Sequence, residues 1–241
     1  MPRPDAPPRL GVVIPFANEE STVEEFLALV LGKIGEVDRV YCVFDNACRD
    51  STLERARAVS ERDPRVAVVF APENRCVVDA YFRGYREALA AGCRFILEMD
   101  GGFSHDPEAI PRFIEAMEKG VDFAAGSRFA PGGSYTGRMS RYLISRGGTV
   151  LANLLLGTRM RDMTSGFECF SRRAMEEVLS RGVRSRGHFF QTEIRYMLHG
   201  WYWVEIPIRY RNPSKSVGRR SLAEAFRILL DLRREKGSAR C

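Results

Sequence analysis

Phe95-Ile96-Leu97-Glu98-Met99-Asp100-Gly101-Gly102-Phe103-Ser104-His105-Asp106-Pro107 is an apolar run that stops at an aspartate, two glycines and a polar turn. A buried parallel strand has this form when it delivers a carboxylate to the C-terminal edge of a sheet. Open α/β sheets collect their ligands along that edge, which makes Asp100 the first candidate for chemistry. A plain strand and glycine turn, with Asp100 capping the next helix, is the competing reading of these residues alone.

Outward from this stretch, strands and helices alternate. Strands are expected at Leu10–Pro15, Arg39–Phe44, Val66–Phe70, Arg94–Met99 and Phe123–Ser127. Helical spacing of apolar residues predicts helices over Ser21–Ile34, Thr52–Arg62, Val78–Ala91 and Pro107–Lys119. Short connections between alternating elements imply a doubly wound, mostly parallel sheet flanked by helices, with right-handed crossovers. Ile206–Arg211 reads as a late edge strand. No linker or repeat divides residues 1–241, so a single domain is expected.

Composition bounds the function. Hydrophobic residues at 45% and charged residues at 28% are ordinary for a globular protein. No stretch approaches the roughly 18 apolar residues of a membrane span, and Met1–Arg9 lacks the apolar core of a secretion signal. Six cysteines without CxxC or zinc-ligand spacing point to reduced thiols in a cytoplasmic protein. The net charge of +6 is concentrated: residues 209–240 hold ten Lys/Arg against three acids, and residues 129–161 hold five arginines and no acid. Such surfaces attract phosphorylated substrates or anionic lipid headgroups. No nucleic-acid-binding motif accompanies them, so nucleic acid is not an expected partner.

The strand ends carry the acids: Glu19 and Glu20 after the first, Asp45 and Asp50 after the second, Asp100 after the fourth. Like charges on one rim repel unless a ligand supplies partners. A nucleotide sugar supplies base N–H groups, ribose hydroxyls and a metal-bound diphosphate. No GxGxxG or Walker A sequence is present, which argues against dinucleotide oxidoreductases and P-loop hydrolases.

In order, Ile14-Pro15-Phe16-Ala17-Asn18-Glu19-Glu20, Asp45-Asn46-Ala47-Cys48-Arg49-Asp50-Ser51-Thr52, the Asp100 loop, Gly126-Ser127-Arg128-Phe129 and Thr164-Ser165-Gly166-Phe167 resemble glycosyltransferase family 2. Within it they are similar to the dolichol-phosphate mannosyltransferase-like, polyprenyl-phosphate group. The resemblance implies a GT-A fold and inverting transfer of a mannose- or glucose-type sugar from a nucleotide-diphosphate donor to a polyprenyl phosphate. It assigns donor binding to Pro15, Ala17, Glu19, Asp45, Asp100, Gly101 and Gly102, and acceptor-phosphate binding to Arg128, Arg141 and Ser145. Asp100 and Arg128 carry the catalytic expectation, and Asp100 that for Mg²⁺ or Mn²⁺. Gln191, Glu193, Arg211 and Lys215 are implied site-lining residues, the last on a loop with Arg219 and Arg220 that would clamp the donor diphosphate.

A lipid monophosphate, with a second pKa of about 6, is already largely dianionic at pH 7. It needs positioning and desolvation rather than a general base. A soluble hydroxyl acceptor would need a base, for which Asp106, Glu168 and Glu193 are candidates. A non-catalytic nucleotide-sugar-binding module is a third reading. Residues 138–157, apolar between arginines, are expected to lie in a bilayer interface or else to pack on the core, and 221–236 has similar spacing. Four departures from the family pattern bear on the site: Gly102 for the second metal-binding Asp, Ala17 for an aromatic, Cys76 for a glycine, and Glu168 for a basic residue, which would repel an anionic acceptor.

Overall fold

Leu10–Pro15 contains no charged residue and is almost wholly buried, as a central parallel strand must be with helices on both its faces. This is β1 in a computed structural model that describes residues 8–211 and 218–238. It is followed by α1 (Val23–Leu31), β2 (Arg39–Phe44), α2 (Thr52–Arg62), β3 (Val66–Phe70), α3 (Val77–Ala90), β4 (Phe95–Glu98) and α4 (Ile110–Glu118). Next come β5 (Phe123–Ser127), β6 (Ser134–Thr136), α5 (Met139–Leu156), β7 (Glu168–Ser171), α6 (Arg172–Arg181) and α7 (Phe190–Met197). β8 (Trp203–Pro207), β9 (Arg209–Arg211) and α8 (Arg219–Ser238) complete the described chain.

Among the described residues, seven strands form one sheet in the order β3-β2-β1-β4-β7-β5-β8. All pairings are parallel except those of β7, which runs antiparallel between β4 and β5. The order reverses direction beside β1, so the loops after β1, β2 and β4 meet at a topological switch point, where open α/β sheets bind ligands.

Two apolar layers cover the sheet. One face packs against α1, α2 and α4 around Phe26, Phe44, Phe113 and Phe167. The other packs against α3, α6, α7 and α8 around Tyr85, Phe170, Met175 and Phe190.

The late strand differs from its expected position. β8 ends at Pro207, and Ile208 hydrogen-bonds back to Ser127 before β9 leaves to pair with β6 in a separate two-stranded parallel ribbon. The loop expected at Arg219 and Arg220 is instead the start of α8. The five described cysteines are free.

Candidate active site

The donor-side rim is built by short polar residues that tie two loops together. Asn18, in a left-handed conformation (φ 61°), donates from Nδ2 to Ala47 O (3.1 Å) and accepts from Arg49 N (2.8 Å). Glu19 N donates to Thr52 Oγ1 (2.7 Å), and Glu20 takes the Ser51 hydroxyl (2.7 Å). The Asp50 carboxyl is held below its usual range, chiefly by the Thr52 hydroxyl. Glu20 and Asp50 therefore serve the loop itself. Asp45, at the end of β2, accepts from Ala47 N (2.8 Å) and stays partly open at the rim. Pro15 is half-buried beneath this rim and Ala17 is exposed on it.

Asp100 stands one strand over from β1, two residues past β4. Tyr81 donates to its Oδ1 (2.7 Å), Ser104 approaches Oδ2 (3.5 Å), and the carboxylate remains 36% exposed. Its backbone N–H donates to His105 Nδ1 (3.0 Å), so the neutral ring carries its proton on Nε2. Burial pushes the His105 pKa down and keeps the ring neutral. Stacked on Phe167 at 5.0 Å, His105 braces the turn. Gly101 and Gly102 form that turn, Gly102 at φ 73° and Phe103 at φ 66°. Burial raises the Glu19 pKa, with Asp50 and Asp100 adding repulsion, so these loops concentrate negative charge.

Arg128, just past β5, is buried. It binds Asp162 through Nε and Nη2 (both 2.8 Å), Thr164 Oγ1 (2.6 Å) and Ser145 Oγ (3.4 Å). Burial alone would raise the Asp162 carboxyl, but the guanidinium overrides it and holds the pKa at about 2. The arrangement joins three elements: the β5 end, the Thr164-Ser165-Gly166-Phe167 loop and α5. Arg141 and Ser145, four residues apart, share the inward face of α5, as their spacing implies.

Asp100 and the Arg128 cluster meet in one cavity of about 480 Å³, whereas Pro15, Ala17, Glu19, Asp45, Gly101 and Gly102 do not line it. Asp100, His105, Arg128, Arg141, Ser145 and Gln191 line it from the sheet edge, α5 and α7. Ile144, Leu151, Leu222, Phe226 and Leu229 form its apolar wall, from α5 and α8. The cavity thus joins the carboxylates of Asp100 and Glu224, two guanidinium groups and a hydrocarbon-lined wall.

Other expected site residues lie elsewhere. Glu193 does not face the cavity; its carboxylate accepts from the Arg184 and Ser185 amides (3.0 and 2.8 Å) and fixes the loop before α7. Glu168 does not repel an acceptor, because it is wholly buried against Arg195 (2.5 Å) in the sheet. Arg195 thus places a cation beside position 168, where the family pattern has a basic residue. Asp106 caps the turn before α4 through Glu108 N (3.1 Å) and lies 3.7 Å from Arg211. Arg211 itself is exposed outside the cavity, and Lys215 falls outside the described residues. Cys76 takes an extended backbone (φ −160°, ψ 167°) that any residue adopts, so no glycine is needed there.

Sequence reasoning missed Tyr81, which orients Asp100, and Asp162, which orients Arg128. Only the place of Asp162, two residues before the Thr-Ser-Gly-Phe motif, hinted at its role. Among the described residues, no group of three or more His, Cys, Asp or Glu side chains is arranged to hold a metal ion.

The family model for glycosyl transferase family 2 matches residues 11–179. A polyprenol monophosphomannose synthase from Mycolicibacterium smegmatis is 31% identical over 88% of this chain and 81% of its own length. An undecaprenyl-phosphate mannosyltransferase from Micrococcus luteus is 30% identical over 84% of this chain and 83% of its own. A dolichol-phosphate mannosyltransferase from Pyrococcus furiosus is also 30% identical, over 95% of this chain but only 65% of its own. Glucosyl-3-phosphoglycerate synthase from Mycobacterium tuberculosis, solved with Mn²⁺, UDP and its product, superposes with a TM-score of 0.67. At 18% identity over 93% of this chain and 78% of that one, it speaks to the fold alone.

Proposed function

We propose that this chain, which belongs to glycosyltransferase family 2, transfers a sugar with inversion from a nucleotide-diphosphate donor to a polyprenyl phosphate. The observation that carries this reading is the single cavity in which Asp100 and two arginines meet an apolar wall made by α5 and α8. A phosphate headed by an isoprenoid tail has that division of polarity; a sugar hydroxyl acceptor does not.

The acids bear on the acceptor as well. None of the three carboxylates expected as a base for a hydroxyl acceptor lines the cavity: Asp106, Glu168 and Glu193 are each engaged elsewhere. Glu224, which does line it, accepts from the Arg186 amide (2.9 Å). A pre-ionised phosphate nucleophile needs no base, so their absence from the cavity costs the reaction nothing.

The work of these residues is positional and electrostatic. Arg141 and Ser145 present a phosphate to the sugar's anomeric carbon, and Arg128, its fork oriented by Asp162, sets the positive potential around it. The apolar wall excludes water from the attacking oxygen. Pro15, Ala17, Glu19 and Asp45 border the donor nucleotide, with Gly101 and Gly102 letting it approach the backbone. Asp100, partly exposed at the switch point, would hold Mg²⁺ or Mn²⁺ together with donor phosphate oxygens, a donor set that suits either ion. Such a cation neutralises charge on the departing diphosphate.

Peripheral contact with a membrane, on its cytoplasmic leaflet, belongs to the same reading, and the exposed apolar residues of α5 and α8 support it. The test uses the purified chain, radiolabelled nucleotide sugars and a short polyprenyl phosphate. Label is expected in the organic phase, and Asp100→Ala should lower it at least a thousandfold while the far-ultraviolet spectrum and melting point stay as in wild type. Transfer only to soluble hydroxyl acceptors, or near-normal turnover by Asp100→Ala, would overturn the reading.

A further inference from the structure

The family's second acid in the Asp100 loop is Gly102 here, and the space beside that glycine is filled. A Cβ built on Gly102 would lie 2.5 Å from Glu19 Oε2 and 2.8 Å from Oε1. Real Cβ atoms do not come that close, so no side chain fits at 102 while Glu19 keeps its place. The Glu19 carboxylate, from the loop after β1, reaches over to the strand-four loop. It stands where an acid on residue 102 would begin.

Its position is fixed by the fold. The Glu19 amide is held by Thr52 Oγ1 (2.7 Å), and its carbonyl accepts the Thr22 and Val23 amides (3.0 and 2.9 Å) as α1 begins. Oε2 receives only a long hydrogen bond from Thr22 Oγ1 (3.3 Å). Glu19 forms no ion pair among the described residues, and the ring of His105, 3.9 Å from Asp100 Oδ2, is the nearest cation-forming group that Asp100 meets among them. Among the described residues, two carboxylates on adjoining loops therefore face the donor site without a salt bridge to a lysine or arginine.

We propose that Glu19 supplies the second protein oxygen for the divalent cation that Asp100 holds, in the place of the acid missing at 102. The inference rests on the donor-site reading of Asp100 and deepens it. The chemistry agrees: Mg²⁺ and Mn²⁺ in nucleotide sites take one or two carboxylates and complete their shells with phosphate oxygens and water. Exchange of an acid between two loops that meet at one point preserves the charge and the donor count of the site.

The test is direct Mn²⁺ binding to the full chain with GDP or UDP present, read by the electron paramagnetic resonance of free Mn²⁺. Glu19→Gln keeps size and hydrogen bonding and should weaken Mn²⁺ binding about tenfold or more, as Asp100→Asn should. Glu19→Ala should be rescued by adding Gly102→Asp, returning the affinity to within about threefold of wild type. Asp tolerates the left-handed backbone at 102, and removal of Glu19 clears its space. Equal Mn²⁺ affinity in Glu19→Gln and wild type, or an E19A/G102D protein no better than E19A, would overturn the inference. So would failure of wild type to bind Mn²⁺ under either nucleotide. Lipid transfer measured in parallel separates the two readings: intact transfer with unaltered Mn²⁺ binding in Glu19→Gln removes only Glu19. Absent transfer with the Mn²⁺ pattern as expected removes only the acceptor.

Discussion

Arg195 supports the site without lining the cavity. Wholly buried on α7, it donates to Glu168 (2.5 Å), to the carbonyls of Gly126 (3.1 Å) and Ser165 (3.0 Å), and to the carbonyl of Asp162. One side chain thus fixes the backbone of both motifs that present Arg128 and Thr164. It faces two acids, because Glu98 on β4 is the register partner of Glu168 on β7. Tyr85 donates to Glu98 Oε2, while Glu98 Oε1 and Glu168 Oε2 have no hydrogen-bond partner among the described residues. One cation between two buried carboxyls leaves a proton with the pair. Burial raises both groups, Glu168 to about 7 against the pull of Arg195, and Glu98 further through repulsion from Glu168. A carboxyl with a raised folded-state pKa binds more protons in the native state than in the unfolded chain. Its stabilising share is complete below about pH 4.5 and declines as pH rises through the folded value near 7. Glu98→Gln keeps an acceptor for Tyr85 and removes one titration. In urea melts it should gain on wild type between pH 5 and pH 8.5, by on the order of 1 kcal/mol or more. A difference between the two proteins that stays constant with pH would show that the pair holds no proton. Asp162 has the opposite sign. Its pKa of about 2 gives stability that is present above pH 4 and lost in acid, and Asp162→Ala, which strands a buried guanidinium, should cost about 3–5 kcal/mol in the same melts.

At the level of elements, α3 shows how closely helix and sheet approach. A Cβ on Gly84 would fall 2.2 Å from Val13 Cγ1 and 3.1 Å from Val43 Cγ2, on the two strands that deliver the donor-side loops. Helix propensity favours Gly84→Ala by about 1 kcal/mol, but overpacking against β1 and β2 should reverse the sign and destabilise by about 1–3 kcal/mol. Gly147→Ala on α5, where a Cβ meets nothing within 4 Å, is the matching control and should raise the melting temperature. A higher melting temperature for Gly84→Ala would mean that α3 shifts freely on the sheet. The strands and helices of the first half were readable from apolar pattern: β1 to β5 as short runs buried between both layers, and α1 to α4 as helices with one apolar stripe. β7 escaped because its Glu168 looks solvent-facing, and only Arg195, supplied from α7, makes its burial tolerable. The three-residue strands β6 and β9 exist through pairing with each other, which short sequences do not encode. The same contrast runs through the site. Asp100, Arg128 and Ser145 were legible because motif and local spacing place them. Glu193 was misread because its partners are loop amides, and Tyr81 and Asp162 were missed because their roles arise from contacts across the fold.

Across the whole molecule, α5 is built the reverse of an ordinary packing helix. Ser145, Thr149 and Ala152 face inward, whereas Met139, Leu143, Val150 and Leu154 are exposed. Leu222 and Phe226 of α8, which packs beside α5, extend the apolar surface. No described helix is long and apolar enough to cross a membrane. A small-residue face turned inward, with large apolar groups outward between Arg138 and Arg146, matches a helix lying in a bilayer interface. The two alternatives open in the sequence for residues 138–157 are thus two faces of one helix. The inner face belongs to the cavity and the outer face to the surface, and on the proposed function a tail held against Leu151 and Phe226 would lie beside the membrane from which it comes. Each buried leucine contributes about 1.5–3 kcal/mol to such docking and each arginine near anionic lipid about 1 kcal/mol. Leu143 and Leu154 are 60% and 73% exposed and neither lines the cavity, which makes them the side chains to change. L143E/L154E should keep the wild-type melting temperature and keep transfer to a short polyprenyl phosphate in detergent. Its co-sedimentation with phosphatidylglycerol vesicles should fall at least tenfold, and the residual binding should vanish with added salt, since only the arginine attraction is screened. Unchanged co-sedimentation would place the membrane contact on another face and leave the outward leucines of α5 without a role.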